Sequence, residues 1–165
     1  MGEKADIRKL VQDYISEKKQ FPDDSTALLT VARVGTFSDR GSLDFGGSEY
    51  TEAQVKWRTP QKRAEDDTYG WWHLSEGMYI IELNETLAPA ASLDSPHLLL
   101  SIWEHAQRAG IVHSAMPLRQ PAPDSEGSRS SESAGENAAL RVTVSVGSTG
   151  VDIKENARLS KISVI

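Results

Sequence analysis

The feature that most constrains this chain is its C-terminal segment, where two runs of alternating apolar residues flank a short turn. Between Leu140 and Val146 an apolar residue falls on every second position, which is the period of a β-strand with one buried face. Small residues at positions 147–150 permit a tight turn, and the runs 151–153 and 157–165 resume the extended pattern. We therefore predict a β-hairpin here and a fold built from short strands.

The composition is typical of one globular domain. A chain of 165 residues buries enough surface to fold without a disulfide or a metal. The sequence contains no cysteine, which excludes a thiolate nucleophile and thiolate zinc sites and favours a cytoplasmic location. The formal net charge is −6 and the basic residues are scattered, so we expect no nucleic-acid partner. We also expect neither a membrane span, which needs roughly 20 apolar residues, nor a secretory signal.

The N-terminal part, residues 1–22, is predicted to be an amphipathic helix. Apolar side chains between Ile7 and Ile15 recur at helical spacing, which predicts one helix over residues 3–19. Pro22 prevents its continuation.

The remainder, residues 23–165, is predicted to be a β-barrel domain. Many short apolar runs are separated by frequent turn signals, which is typical of an all-β barrel or sandwich. The stretch 119–138 is rich in Ser, Glu, Pro and Gly, so we expect a disordered surface loop there.

Four short segments between Gly41 and the C-terminus occur in an order known from one family. They are Gly-Ser-Leu-Asp-Phe at 41–45, the strand pair at 74–87, Arg-Ala-Gly-Ile at 108–111 and Ala-Arg-Leu-Ser-Lys-Ile at 157–162. Together they resemble motifs of the dUTPase and dCTP deaminase superfamily. The resemblance implies an all-β fold, a distorted jelly-roll β-barrel of the β-clip type, here with an N-terminal helix. It also implies a homotrimer with sites between subunits, a deoxynucleotide ligand and, in active members, hydrolysis of deoxyuridine triphosphate to the monophosphate and pyrophosphate.

The residues that carry this family's chemistry are changed, so the catalytic motifs are degenerate. Trp103, Glu104 and His105 stand where the family has Arg-Ser-Ser, whose donors hold the triphosphate. A carboxylate such as Glu104 would repel that polyanion. The family's Asp-x-Gly-Tyr motif is absent from the sequence. Arg141 stands near the position of the deaminases' catalytic glutamate, and no carboxylate is expected there. Because the sequence stops just after the segment 157–162, we expect the family's phosphate-binding tail to be missing, the alternative being that it lies outside this sequence.

Three residues remain as candidates for catalysis. The resemblance implies that Asp44 lies near a bound Mg²⁺, which takes carboxylate and phosphate oxygens. Glu104 and His105 would form an acid–base pair. The alternative for Asp44 is a turn residue that accepts a backbone N–H.

Three further residues are candidates for substrate binding. Arg108 and Gly110 match the end of the family's second motif, and Trp103 offers a ring on which a base can stack. The other histidines, His97 and His113, could act as bases or ligands, but their spacing matches no metal-binding pattern.

Three functions are compatible with the sequence. The first is a diverged dUTPase-like protein that binds a nucleotide or another ligand with weak or lost catalysis. The second is an active deoxynucleoside triphosphate diphosphohydrolase that uses Mg²⁺ and relocated residues. The third is a structural or interaction module without a nucleotide site.

Overall fold

The computed structural model describes residues 5–91, 95–122 and 139–165, whose regular elements are mostly β-strands. The strands are β1 (Val11–Gln12), β2 (Thr26–Phe37), β3 (Val55–Trp57), β4 (Trp71–Leu74), β5 (Gly77–Leu83), β6 (Thr86–Leu87), β7 (Leu98–Ile102), β8 (Ile111–Val112), β9 (Met116–Leu118), β10 (Arg141–Val146), β11 (Val151–Lys154) and β12 (Arg158–Val164). The helices are a 3-10 turn (Ile7–Lys9), α1 (Glu17–Gln20) and α2 (Glu104–Ala109). Among the described residues, none of the helices has the length and apolar character of a membrane span.

One antiparallel sheet is organised around the long strand β2. Its strands follow the order β8-β10-β5-β2-β12-β7-β9, and β3 pairs with the C-terminal end of β2. The first part of β2, residues 26–30, pairs with β12, and residues 31–35 pair with β5. Register shifts after Val31 and Arg158 increase the local twist where β2 exchanges partners. The sheet therefore curls around the core, and the pairs β4–β11 and β1–β6 form two smaller ribbons.

The core lies inside this curled sheet. Leu29, Val31, Ile81, Leu100 and Ile162 come from four strands of the sheet, and all are at most 1% exposed. The predicted all-β class is confirmed. The predicted loop at 119–138 lies mostly outside the described residues and stays a prediction.

Strand β10 confirms the alternation that the sequence shows. Val142, Val144 and Val146 are buried, and the residues between them are exposed. The predicted turn also forms, because the Gly150 N–H donates to the carbonyl of Gly147 at 3.0 Å. The predicted hairpin is wrong, since β10 pairs with β5 and β8 whereas β11 pairs with β4. The turn passes the chain from one sheet to another.

The predicted single helix over residues 3–19 is also wrong in the residues described. Ile7 and Val11 are buried, as the apolar stripe requires, but they lie on the 3-10 turn and on β1. Asp13 has a φ of 62°, which is incompatible with a continuing helix. Pairing of β1 with β6 supplies the backbone partners instead and outweighs the helical periodicity. The division of the chain at residue 22 stays a prediction.

Candidate functional site

A short helix that the sequence analysis missed contains three of the six predicted site positions, and two more flank its ends. Helix α2 follows β7, and Trp103 precedes it as the N-cap residue with an extended backbone. Gly110 ends the helix with a φ of 102°, a left-handed conformation that glycine adopts without strain, and its N–H donates to the carbonyls of Ala106 and Gln107. Gly110 is therefore a helix terminator, and this glycine was the sequence signal for α2.

A cavity of about 200 Å³ opens beside this helix. Its walls are mainly apolar side chains from α2, β8, β11 and β12, including Ala106 and Ile111. Three polar or charged residues complete the lining: His105, Asp152 and Arg158.

Three side chains stack along one wall of this cavity. The rings of Trp103 and His105 have centroids 4.2 Å apart, with an interplanar angle of 58°. The guanidinium carbon of Arg158 lies 4.7 Å from the Trp103 ring centroid, and its Nη1 donates to the carbonyl of Lys19 at 3.2 Å. The guanidinium, indole and imidazole groups together can contact an anionic or aromatic ligand.

Glu104 is engaged by a cation that the sequence analysis did not connect with it. Lys161 of β12 donates a hydrogen bond to Glu104 Oε1, and this bond lowers the pKa of Glu104. The exposed carboxylate is therefore ionised at neutral pH. Its charge is compensated, which reduces the expected repulsion of an anion, but its low pKa makes it a weak proton donor at pH 7.

Arg108 occupies the last turn of α2 and is exposed to solvent. A cation at this end of a helix is favoured by the helix dipole. The structure thus gives Arg108 a local role in the helix, and its predicted role in substrate binding stays a prediction.

Asp44 lies in the segment between β2 and β3, far along β2 from α2. Its Oδ2 accepts the Glu49 N–H at 3.1 Å, as expected for a turn residue. Lys161, the partner of Glu104, pairs with Leu28, whereas the Asp44 segment leaves β2 at Phe37. Beyond Phe37 the β2–β3 pair continues as a hairpin in which Ser42 pairs with Thr51, so the Asp44 segment leads away from the end of β2 that meets β12. Within one chain the structure therefore does not bring Asp44 together with Glu104 and His105.

The buried Oδ1 of Asp44 has no hydrogen-bond partner among the described residues. It is a single free carboxylate oxygen, and within those residues no group of three His, Asp or Glu side chains could hold a metal. The protein alone therefore supplies too few ligands, and a Mg²⁺ at Asp44 would depend on phosphate oxygens and water.

The strand segment 140–144 itself contains no carboxylate, but one on a neighbouring strand, which the sequence analysis did not connect with Arg141, lies beside it. Arg141 of β10 is directly opposite Glu82 of β5, and its Nε donates to Glu82 Oε2 at 2.9 Å. Arg33 donates two more hydrogen bonds to Glu82, at 3.1 and 2.9 Å. Burial raises the pKa of Glu82, but the bonds from both arginines outweigh it and lower the pKa overall. Glu82 is therefore a charged structural group rather than a proton carrier at neutral pH.

The remaining histidines have defined surroundings. His113 hydrogen-bonds Ser160 Oγ at 2.7 Å and the Ser114 carbonyl at 3.0 Å, so both its ring nitrogens are engaged. His97 is exposed. His73, which sequence reasoning did not select, pairs across strands with Asp152 at 2.7 Å.

Comparison with known proteins gives a likeness in structure but none in sequence. No family model and no curated protein matches the sequence. The structure resembles a crystal structure of 2'-deoxycytidine 5'-triphosphate deaminase from Agrobacterium tumefaciens, with a TM-score of 0.51 and 16% identity. The match covers 94% of this chain and 43% of that chain, so this chain spans less than half the length of the deaminase.

This likeness confirms the predicted dUTPase-like fold, a distorted jelly-roll β-barrel. At this identity it shows the fold alone, because function resides in the site and not in the architecture. Membership of the superfamily and the degeneracy of its catalytic motifs stay predictions.

Proposed function

We propose that this chain is a diverged dUTPase-like protein that binds a deoxynucleotide or a related ligand, with weak or lost catalysis. The observation that carries the proposal is the cavity beside α2, where Trp103, His105 and Arg158 converge.

The dimensions of the cavity favour a ring-sized group. At about 200 Å³ it is smaller than the roughly 300–1,000 Å³ typical of sites for drug-sized ligands. We therefore assign a base or similar ring to the cavity, with the anionic part of the ligand outside and near Arg158.

The proposed loss of catalysis follows from the state of the carboxylates. Glu104 is paired with Lys161, and Glu82 is held by two arginines. Asp44 lies in the segment between β2 and β3. In the part of the chain that the structure describes, Glu82 and Asp44 have no hydrogen bond to a histidine, and Glu104, although His105 is close enough to help lower its pKa, is hydrogen-bonded to Lys161.

Assembly as a cytoplasmic homotrimer is part of the same proposal. It is supported by the fold, which resembles that of the deaminase, and by the separation of Asp44 from α2 within one chain. A neighbouring subunit is the remaining route by which Asp44, with Mg²⁺ on phosphate oxygens, could approach a ligand in the cavity.

Thermal unfolding with a panel of deoxynucleotides tests ligand binding. A ligand that binds only the folded state stabilises it by about 2.7 kcal/mol at a concentration 100 times its Kd. We expect a rise in Tm with at least one nucleotide, and we expect Trp103→Ala or Arg158→Gln to abolish it. Arg119→Gln, which removes an exposed cation elsewhere, is the matched control and should retain the shift. Absence of any shift at millimolar nucleotide would contradict the proposal.

One observation favours the alternative of an interaction module. Leu43 and Phe45, on either side of Asp44, are 88% and 110% exposed. Exposed apolar groups of this kind are typical of surfaces that contact another protein. If nucleotides leave the Tm unchanged, this segment becomes the first place to look for function.

A further inference from the structure

A tryptophan on the outer side of the main sheet is covered by two arginines. The guanidinium carbon of Arg33 lies 3.7 Å from the Trp57 ring centroid, and that of Arg141 lies 5.4 Å away. Glu82 holds both guanidinium groups in place, and both arginine side chains remain almost half exposed. The carboxylate fixes the position of the two guanidinium groups but leaves some of their N–H donors exposed to solvent.

A second tryptophan is covered by cations in the same way. The guanidinium carbon of Arg63 lies 3.6 Å from the Trp71 ring centroid, and the ammonium of Lys154 lies 5.7 Å away. Asp152 Oδ2 lies 3.4 Å from Arg63 Nη2, so a carboxylate contacts the cation here as Glu82 does in the first cluster. The cross-strand pairing of Trp71 with Lys154 places both side chains on the same side of the β4–β11 ribbon.

The two clusters are joined by a short stretch of chain. Gln61 exchanges two backbone hydrogen bonds of 2.8 Å with Trp71, and Trp57 precedes Gln61 by four residues. At extended spacing the stretch from Trp57 to Gln61 spans at most about 13 Å, so the two clusters are neighbours along this part of the chain. We refer to Arg33, Trp57, Arg63, Trp71, Arg141 and Lys154 as the Trp57–Trp71 face.

The connecting segment concentrates positive charge in an otherwise acidic chain. Residues 53–64 contain four cations, Lys56, Arg58, Lys62 and Arg63, and no acidic residue, whereas the whole chain carries −6. The acidic run 65–67 follows directly and bounds the segment. The sequence analysis described the basic residues as scattered, but four of them are concentrated in this segment.

We propose that the Trp57–Trp71 face binds single-stranded nucleic acid. Proteins bind single strands without sequence preference by combining backbone-tracking cations with aromatic rings on which bases stack. Guanidinium groups on an indole extend such a platform, since they stack on bases and also bind phosphate bidentately. Unpaired bases can reach these platforms, whereas bases within a duplex cannot. None of the six residues of this face lines the cavity beside α2, although Asp152 contacts both places, and the proposal does not depend on the proposed function.

Fluorescence anisotropy of a labelled oligodeoxythymidylate of about a dozen nucleotides tests the proposal, since single-strand sites span about 4–16 nucleotides. At about 50 mM salt we expect a Kd in the non-specific range of about 10⁻⁴–10⁻⁶ M, weakening as salt is raised. The double variant Arg63→Glu with Lys154→Glu should weaken binding at least about tenfold, because the cations that meet the phosphates are reversed. The double variant Lys18→Glu with Arg119→Glu changes net charge equally at exposed positions outside the face and should keep binding within about threefold.

A substitution of the ring separates stacking from charge. Trp71→Leu should raise the Kd by about 5- to 150-fold, the equivalent of about 1–3 kcal/mol of base stacking, and Trp71→Phe should retain most of the affinity. Circular dichroism confirms that each variant is folded. Absence of binding by the wild type at low salt, equal loss in the control double variant, or equal competition by inorganic polyphosphate would overturn the proposal.

Discussion

The pH dependence of folding stability should carry the signature of one buried carboxyl group, Glu85. This residue is 0% exposed and its hydrogen bonds come from neutral groups. Its Oε1 accepts from Gln20 Nε2 at 2.6 Å and from Thr30 Oγ1 at 2.5 Å, and its Oε2 accepts from the Thr30 N–H at 2.8 Å. Burial raises the pKa of Glu85, and the bonds from Thr30 and Gln20 only partly oppose this effect.

The sign of the effect follows from linkage between protonation and folding. A carboxyl group whose pKa is raised in the folded state contributes stability below its unfolded pKa of about 4.3 and loses it as pH rises through the folded pKa. Glu85→Gln cannot ionise, so the free energy of unfolding of the wild type should fall relative to the variant across this window. The slope for one proton is at most about 1.4 kcal/mol per pH unit. The new amide N–H groups of the Glu85→Gln variant also face the donors of Gln20 and Thr30. This mismatch lowers the free energy of unfolding of the variant by about 1–3 kcal/mol at every pH.

Urea unfolding followed by tryptophan fluorescence between about pH 3 and pH 8 measures both quantities, since carboxyl groups titrate over this range. Glu82→Gln is the matched control, because bonds from Arg33 and Arg141 lower the pKa of Glu82 despite its burial. The ionised Glu82 stabilises the fold above about pH 4.3, and this stabilisation is lost as the pH falls through the lower folded pKa. The difference in free energy of unfolding between wild type and variant should therefore rise with pH for Glu82→Gln and fall with pH for Glu85→Gln, each in its own pH range. A stability difference for Glu85→Gln that is constant or that grows with pH would refute the reasoning.

Two further predictions concern the framework. Gly150 has a φ of +73°, and a Cβ there would lie 2.6 Å from the Leu74 carbonyl oxygen, so Gly150→Ala should destabilise the fold by at least about 1–3 kcal/mol. Gly147→Ala, whose new Cβ would meet nothing closer than 3.7 Å, should change the free energy of unfolding by less than about 1 kcal/mol in the same urea assay. Ile162 is 0% exposed in the core, so Ile162→Ala should lower the free energy of unfolding by about 2–5 kcal/mol. A decrease below about 1 kcal/mol in urea unfolding would contradict the placement of Ile162 in the core.

The strands of the barrel were predictable because their signal is local. The alternation in β10 needs only one buried face, and the structure provides it at Val142 and Val144. The predicted hairpin at 140–165 was wrong because turn residues determine where the chain changes direction but not which strand the next segment pairs with. The period of 3.6 near Ile7 and Val11 indicated burial correctly, but pairing with β6, far along the chain, determined the conformation.

The site was less predictable because its partners are distant in sequence. Glu104 meets Lys161 across 57 residues, and Arg141 meets Glu82 across 59. No local spacing encodes these contacts. Arg158 was named only as part of a motif, and its contact with Trp103 required the barrel to close.

Turnover tests the central claim, that the barrel keeps a ligand cavity while catalysis is weak or lost. The measurement is release of pyrophosphate and of ammonia from a panel of deoxynucleoside triphosphates with Mg²⁺, on protein whose Tm responds to those nucleotides. We expect binding without turnover above the uncatalysed background. Efficient turnover that disappears in Asp44→Ala, with the Tm response retained, would contradict the account and establish an active enzyme with relocated residues.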